Sequence, residues 1–312
     1  MKKQNDFPYS DSNKRYHTYD YAMRKRFGKK MARVCLDAGM SCPNLDGKKG
    51  SGGCIYCLNG SKAPEGDAKL SITEQLHQGM ALMQKKWPQA GFIAYFQAHT
   101  NTYAPLEHLK ILYEEALSVK GVEGIVIATR PDCLSDKACD LLEYFSKQTY
   151  LTVELGLQTV HDTTGVLINR CHTWADFLSG YNKLRTRGIL TGIHLIDGLP
   201  GESLDMMIES ARKIGSLHPH LIKLHLLYVE KGTVLSDWYM DGKYIPMERD
   251  IFIQTVCSQL ELFSAETIIG RLTGDGEAQS LIAPQWSRKK LCILNDIDKE
   301  FVRRDSWQGK FY

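Results

Sequence analysis

Three cysteines lie close together in the first fifth of the chain, at Cys42, Cys54 and Cys57. Cys54 and Cys57 form a C-x-x-C pair, and Cys42 precedes them across a loop rich in Gly, Asn and Asp. Such a loop can fold tightly and bring its backbone close to a bound group. Clustered thiolates bind metal ions or iron–sulfur clusters, or they carry out redox chemistry. The spacing therefore predicts a thiolate-centred site.

Four kinds of site compete for these thiols. A disulfide is disfavoured, because the N-terminus lacks the apolar region of a secretory signal and a reducing compartment is expected. Structural zinc normally takes four ligands in two pairs, and only one pair is present. A redox C-x-x-C would not need Cys42. An iron–sulfur cluster on three thiolates would leave one iron open, as catalytic metal sites do, and we favour this interpretation.

The composition is that of a folded globular protein. The chain has 312 residues, of which 43% are hydrophobic and 24% charged, enough for one large α/β barrel or two ordinary domains. No apolar run approaches the roughly 20 residues of a membrane helix, so we expect no membrane contact and a cytoplasmic location. A net charge of +3 permits nucleic-acid binding without demonstrating it.

Strands and helices are predicted to alternate along most of the chain. Apolar strand-like runs occur at 33–37, 91–96, 124–129, 151–156, 191–196 and 221–227, with helical patterns at about 71–87, 106–119, 135–147, 174–187 and 203–215. This rhythm predicts a parallel sheet with right-handed crossovers, and its count predicts a partial (β/α)6 barrel. We divide the chain into a basic lead-in (1–30), the barrel (31–230) and a C-terminal α/β extension (231–312), which contains a helix near 248–265 and a short strand at 267–272.

Polar side chains interrupt or follow several of these strands, where α/β barrels place their sites. Glu154 lies within an otherwise apolar strand, and a buried charge needs a partner. Lys223 interrupts the sixth strand, and a barrel-facing lysine must find an anion or shift its pKa. The other candidates at strand ends are Gln97, Thr100, Asn101, Gln158, His194 and Asp197.

The sequence C-P-N-L-D-G-K-K-G-S-G-G-C-I-Y-C at 42–57, with Tyr56 before the third cysteine, resembles the radical S-adenosylmethionine (SAM) superfamily. Its long first gap resembles the YhcC/YtqA-like (MnmL-type) group, which is related to the Elongator catalytic subunit. V-E-L-G-L-Q-T at 153–159 and N-R-C-H-T at 169–173 are similar to the Elongator-type V-E-L-G-x-Q-S and N-R-G-H-T. I-K-L at 222–224 with E-K-G-T at 230–233 is similar to L-K-I-Y…R-G-T.

The resemblance implies a TIM-like radical SAM barrel with a [4Fe–4S] cluster on the three cysteines and SAM, cleaved to a 5′-deoxyadenosyl radical. It implies that Glu154, Gln158 and Arg170 line the SAM site; a ligand-free Glu154–Arg170 ion pair is the alternative. In relatives the end of strand two supports the SAM amino acid moiety, and here Gln97, Thr100 and Asn101 replace the familiar Gly-Gly-Glu. The remaining expected cofactor contacts are Tyr56, His194 and Asp197, and Lys223 is the candidate catalytic residue.

The resemblance also implies a substrate. Members of the group are implicated in converting the 5-carboxymethylaminomethyl group of the tRNA wobble uridine to 5-aminomethyl, ahead of a separate methyltransferase, with an electron donor such as flavodoxin or ferredoxin. The basic run at 24–33 leads into the cysteines and could meet tRNA there, unless it is only a solvated face. The alternatives are a radical SAM enzyme for a small metabolite and a non-catalytic RNA-binding protein that carries zinc or a cluster.

Overall fold

A computed structural model describes residues 5–58, 66–274, 276 and 279–312. The strands are β1 (Met31–Leu36), β2 (Gly91–Phe96), β3 (Val122–Thr129), β4 (Tyr150–Gln158), β5 (Leu190–Asp197), β6 (Leu221–Leu226), β7 (Val229–Glu230), β8 (Ile268–Arg271) and β9 (Leu281–Ala283). Seven of them form one curled parallel sheet in the order β1-β2-β3-β4-β5-β6-β8, and β7 pairs with β9. This half-barrel confirms the predicted fold class.

The helices that cover the sheet follow the predicted alternation. They are α1 (Tyr19–Phe27), α2 (Ile72–Lys86), α3 (Leu106–Ser118), α4 (Asp136–Ser146), α5 (Asp162–Leu167), α6 (Trp174–Thr186), α7 (Leu204–Gly215), α8 (Val234–Met240), α9 (Arg249–Leu260) and α10 (Lys290–Arg304). Ser71 and Glu74 form a reciprocal capping box that begins α2. Within the described ranges, every helix is too short or too polar to cross a bilayer.

The short strand near the C-terminus adds a seventh strand to the barrel. β8 pairs in parallel with β6, and the register places Lys223 opposite Arg271. The six strands predicted before it are all present, with ends within two residues of the prediction. The domain boundaries at 30/31 and 230/231 stay predictions.

The lead-in forms a helix that the sequence analysis did not anticipate. Ala22 and Met23 of α1 are buried against Met31, Ile93 and Tyr150, at the amino-terminal ends of the strands. β1 runs from there to the cysteines, a distance of about 20 Å for six residues. Residues 24–30 of the basic run therefore lie at the end of the barrel opposite the cysteines, whereas Arg33 reaches Glu154 inside the barrel. This placement contradicts the expectation that the run meets tRNA at the mouth.

Candidate active site

The cysteine loop, residues 42–57, begins beyond the carboxyl end of β1. Cys42, Cys54 and Cys57 line one cavity of about 350 Å³ that continues into the barrel interior. The Cys57 amide donates to the Cys54 carbonyl at 2.9 Å, which closes the C-x-x-C turn. The spacing read from the sequence therefore brings the three thiols to a single cavity.

A neighbouring loop, residues 168–171, braces the cysteine loop. The Asn169 side-chain amide donates to the backbone carbonyls of Gly53 (2.7 Å) and Ser51 (3.0 Å), and the Asn44 side-chain amide donates to the Asn169 backbone carbonyl at 2.5 Å. Asn169 has a φ of 53°, in the left-handed region that asparagine tolerates. The two loops are so close that a Cβ at Gly50 would lie 2.6 Å from the Cys171 sulfur. The Asn169 side chain of the N-R-C-H motif thus shapes the cysteine loop by binding the backbone carbonyls of that loop.

A chain of charges adds a second brace. Arg130, at the end of β3, forms a two-pronged ion pair with Asp132 (3.0 Å for each pair) and donates to the carbonyls of Arg170 (2.9 Å) and Cys171 (3.0 Å). Lys49 reaches Asp132 from the cysteine loop at 2.9 Å. Arg130 and Lys49 together hold the pKa of Asp132 below its ordinary value, against the effect of burial. The carboxylate therefore stays ionised and joins the two loops.

Glu154 is the centre of a buried polar network inside the barrel. Its Oε1 accepts from Arg33 at 2.9 Å, and its Oε2 accepts from Lys223 (2.5 Å), Tyr95 (2.7 Å) and His194 (3.0 Å). Gly192 lies opposite Glu154 on β5, and a Cβ there would come within 3.1 Å of the Glu154 side chain. The glycine therefore leaves the room that the carboxylate occupies.

The charge states of this network follow from burial and proximity. Burial alone would raise the pKa of Glu154, but Lys223, Arg33 and His194 hold it well below its ordinary value. Burial lowers the pKa of Lys223 to about 7 although Glu154 opposes the shift, and burial with nearby Lys223 lowers that of His194 to about 4. Glu154 is therefore ionised and His194 neutral near pH 7. Because the carboxylate can only accept, Nε2 of His194 carries its proton.

Comparison with known proteins identifies the family of this fold and site. The Radical SAM superfamily model matches residues 48–214, and the Radical_SAM C-terminal domain model matches residues 219–303. The chain belongs to the radical SAM superfamily. As a radical SAM protein it uses a [4Fe–4S] cluster and SAM. The superfamily match begins after Cys42, so this cysteine is assigned from its position at the cavity.

Individual relatives support the YhcC/YtqA-like group. The chain is 46% identical to the uncharacterized protein YtqA of Bacillus subtilis, covering 100% of this chain and 97% of that protein, and 34% identical to YhcC of Escherichia coli, covering 92% of each. It is 27% identical to the tRNA uridine(34) acetyltransferase of Methanocaldococcus jannaschii over 43% of this chain and 25% of that protein. The structure of Methanocaldococcus infernus Elp3 shares the fold, with a TM-score of 0.66, 17% identity and coverage of 86% of this chain and 63% of that one.

The cavity fits a cluster held by three thiolates. In the described part of the chain, no three His, Cys, Asp or Glu side chains converge tightly enough to hold a single metal ion. Three thiolates fall short of the four ligands of a structural zinc site, whereas the thiolates of a cubane cluster bind separate irons. Gly53 has a φ of 73°, in the left-handed region that favours glycine, so a glycine at this position lets the loop take this path. Cys42, Cys54 and Cys57 are the residues that would hold the cluster.

The structure gathers most of the residues predicted for the SAM site. Tyr56, Gln97, Thr100, Glu154, Gln158, Arg170, His194 and Lys223 all line the cavity of the three cysteines. Asn101 and Asp197 do not line it. The Asn101 amide donates to the carbonyls of Phe96, Ala98 and Ala128, and Asp197 accepts from Gln259 at 2.6 Å outside the cavity. The individual roles of these residues stay predictions.

The alternative of a Glu154–Arg170 ion pair is wrong. The Arg170 guanidinium donates instead to the carbonyls of Leu157 (2.6 Å), Thr159 (2.6 Å) and His172 (2.9 Å). Its side chain is 1% exposed. Arg170 therefore ties the end of β4 to the bracing loop, and the anion that Lys223 needed is Glu154.

The cavity and network residues that the sequence analysis missed include Arg33, Tyr95, Arg130, His225 and Arg271. Arg33 was assigned to the basic run, although Met31, Arg33 and Cys35 alternate on one face of β1. His225 follows Lys223 by two residues, so the same strand alternation places it on the face of Lys223. The sequence around Arg271 gave no signal of this kind, because only the pairing of β8 with β6 brings Arg271 to the barrel.

Proposed function

We propose that this radical SAM protein converts the 5-carboxymethylaminomethyl group of the tRNA wobble uridine to 5-aminomethyl. The observation that carries the proposal is the cavity, which joins three cluster-binding thiols to a barrel interior lined by Lys223 and Arg271, with Arg33 behind Glu154. A substrate with a carboxylate suits this surplus of cations. The similarity to a tRNA uridine(34) acetyltransferase supports the same nucleoside as the target.

The chemistry requires partners beyond the chain. When bound, the cluster and SAM would supply a carbon-centred radical that abstracts a hydrogen atom from the methylene group beside the carboxylate. The substrate radical then loses one electron to a carrier of the same class as the donor and becomes an iminium ion. Hydrolysis of this ion by water breaks the C–N bond, releases the two carboxymethyl carbons as glyoxylate and leaves the 5-aminomethyl group. We propose an electron donor such as flavodoxin or ferredoxin, and a separate methyltransferase that acts on the aminomethyl product. A cytoplasmic location suits all of these partners. The chain itself contributes the thiols, the closed floor of the barrel and the charged layer that receives the substrate.

The test is the nucleoside composition of tRNA from a strain that lacks this protein. We expect 5-carboxymethylaminomethyluridine to accumulate while 5-aminomethyluridine and its methylated product disappear, as measured by mass spectrometry. The wild-type gene should restore the product and a Cys42→Ala variant should not, because two thiolates do not anchor the cluster. Cys292→Ala is the matched control, since this cysteine is exposed on α10. Unchanged nucleosides in the deletion strain would refute the proposal.

A small carboxylated metabolite is the second candidate substrate. It is favoured by the position of the basic run, which lies away from the mouth and offers no electrostatic path for a polyanion. The two candidates differ in a direct measurement with purified, reconstituted protein. Wobble-modified tRNA should stimulate 5′-deoxyadenosine formation if the proposal is right, whereas a small-metabolite enzyme should not respond to it.

A further inference from the structure

One layer of the barrel interior carries a row of nitrogen-bearing side chains. His194 on β5 pairs in register with Lys223 on β6, and Lys223 pairs with Arg271 on β8. Paired residues of parallel strands point to the same face of a sheet, and all three line the cavity of the cysteines. The layer therefore faces the space that a substrate must enter to reach the cluster and SAM.

The anions and cations of this layer do not balance. Glu154 is the only acidic residue that lines the described cavity, and it is already shared by Arg33 and Lys223. Arg271 has no acidic partner among the described residues. Two buried nitrogens of Arg33, Nε and Nη2, also have no hydrogen-bond partner among the residues that the structure describes. Arg271 is only partly buried, but positive charge that faces a cavity with a single, already shared carboxylate favours an anionic ligand there.

The cations differ in how free they are to bind a ligand. The Lys223 amine is bound to Glu154 and donates to the Tyr95 hydroxyl at 3.1 Å. The same amine lies 4.6 Å from the centroid of the Tyr95 ring. Arg33 is bound to Glu154 and stacks 4.1 Å from the Tyr19 ring centroid. Among the described residues, Arg271 makes neither a bond to Glu154 nor a contact with an aromatic ring. Its planar guanidinium can also bind a carboxylate through two parallel hydrogen bonds.

We infer that Arg271 binds the carboxylate of the substrate. The inference rests on the proposed function and deepens it, because it assigns the carboxymethylamino group of the nucleoside to a particular side chain. Lys223 and Arg33 then keep Glu154 ionised beside this position and add to the positive field around it. Fixing the carboxylate orients the neighbouring methylene group, so Arg271 is a specificity-determining residue for a carboxylated substrate.

The experiment measures binding to the reconstituted holoenzyme with SAM, before any reductant is added. The probes are 5-carboxymethylaminomethyluridine, 5-aminomethyluridine and N-methylglycine, which carries the carboxymethylamino group alone. Arg271→Gln is compared with Arg271→Lys and with Arg185→Gln, a matched change at an exposed position on α6. Iron content, SAM affinity and thermal unfolding confirm that each variant is folded and loaded.

We expect the wild type and Arg185→Gln to prefer the carboxylated nucleoside by about tenfold or more, since one charge-assisted pair in a partly buried site is worth at least that. Arg271→Gln should abolish this preference and the binding of N-methylglycine, and Arg271→Lys should restore part of both. Equal binding of N-methylglycine by the wild type and a folded Arg271→Gln variant would overturn the inference. If N-methylglycine depends on Arg271 but neither nucleoside binds, the carboxylate site stands and the tRNA proposal fails.

Discussion

At the scale of single residues, Glu154 shows how a buried charge can be both structural and functional. Its carboxylate is 0% exposed and accepts from four side chains on four different strands. Removing one partner of a buried pair leaves the other charge uncompensated, which costs more than the pair contributes. The network therefore fixes the chemistry of the cavity and also couples it to the stability of the barrel.

We predict that Glu154→Gln lowers the free energy of unfolding by about 3–5 kcal/mol, because Arg33 and Lys223 lose their shared anion. Urea denaturation at pH 7 measures the change. A Glu154→Gln/Lys223→Met double variant should recover part of it by removing the buried amine that has lost its acceptor. Glu209→Gln, at a solvent-exposed pair with Lys213, should leave the midpoint unchanged. A Glu154→Gln variant as stable as the wild type would contradict the network.

Asp197 gives a prediction about pH. Burial raises the pKa of Asp197 from 3.8 to about 7, although the Gln259 amide opposes the shift. Below pH 4 the carboxyl is protonated in both states. Between pH 4 and 7 it ionises only in the unfolded chain, so stability falls as the pH rises; above pH 7 the loss levels off. The full loss in the free energy of unfolding is about 4 kcal/mol.

Asp197→Asn should therefore be more stable than the wild type at pH 8 and lose this advantage towards pH 4, as followed by thermal unfolding across that range. The asparagine amide cannot ionise and can donate to the buried Oε1 of Gln259, which has no hydrogen-bond partner among the described residues. SAM affinity should not change, because Asp197 lies outside the cavity. A loss of SAM affinity without a change in stability would instead support the cofactor role expected from the sequence.

At the scale of elements, the bracing loop at 168–171 is what gives the cysteine loop its shape. Cysteine spacing alone does not close a flexible, glycine-rich loop around a cluster. The Asn169 side chain bonds two of its carbonyls, and the Ile55 amide donates to the Ile168 carbonyl at 3.1 Å. Outer contacts of this kind orient the ligands of a metal centre and affect its affinity.

We predict that Asn169→Ala weakens cluster retention by about 10–100-fold, as found when outer-shell partners of metal ligands are removed. Iron and sulfide content during dilution or chelator challenge measures it. Asn169→Gly separates the two contributions, because it tolerates the φ of 53° but cannot donate the side-chain hydrogen bonds. If the glycine variant retains the cluster like the wild type, the backbone conformation matters and the side-chain bonds do not.

The sequence predicted the elements better than the contacts between them. Apolar strand runs, the Ser71 capping box and the strand-end polar residues are local signals, and apart from Asn101 and Asp197 they led to the right element or cavity. The partners of Glu154 are not local. Arg33 is 121 residues away and Lys223 is 69 residues away, and they meet Glu154 only because the strands curl into a barrel. Arg271 depends in the same way on a seventh strand that looked peripheral in the sequence.

At the scale of the whole molecule, the two ends of the barrel have different tasks. α1 closes the amino-terminal end with apolar contacts, and basic residues of α1 and of the segment just after it make contacts there. Lys29 pairs with Glu123 at 2.7 Å, Lys30 pairs with Asp20 at 2.6 Å, and Arg26 lies 4.9 Å from the Tyr150 ring centroid. The carboxyl-terminal end is open and carries the cysteine loop. Under the proposed function, tRNA must approach from that side.

The open end has its own exposed cations. Lys48 and Lys49 lie on the cysteine loop itself, and the Lys48 amine is 5.4 Å from the centroid of the Tyr103 ring. Lysines beside an aromatic ring suit phosphates and unstacked bases. These residues, and not the basic run, are therefore expected to contact the anticodon loop under the proposed function.

We predict that Lys48→Ala/Lys49→Ala weakens tRNA binding and flattens its dependence on salt, since each lost phosphate contact reduces the release of counterions. Replacing Lys25, Arg26, Lys29 and Lys30 with Ala should leave affinity and salt slope unchanged, because that surface is at the far end of the barrel. Filter binding from low to moderate salt compares the variants. The double variant needs its iron content checked, since Lys49 also pairs with Asp132; Lys48→Ala alone has no such pair in the described residues. The opposite pattern, with loss only in the quadruple variant, would place tRNA across the closed end, where its base could not reach the cluster.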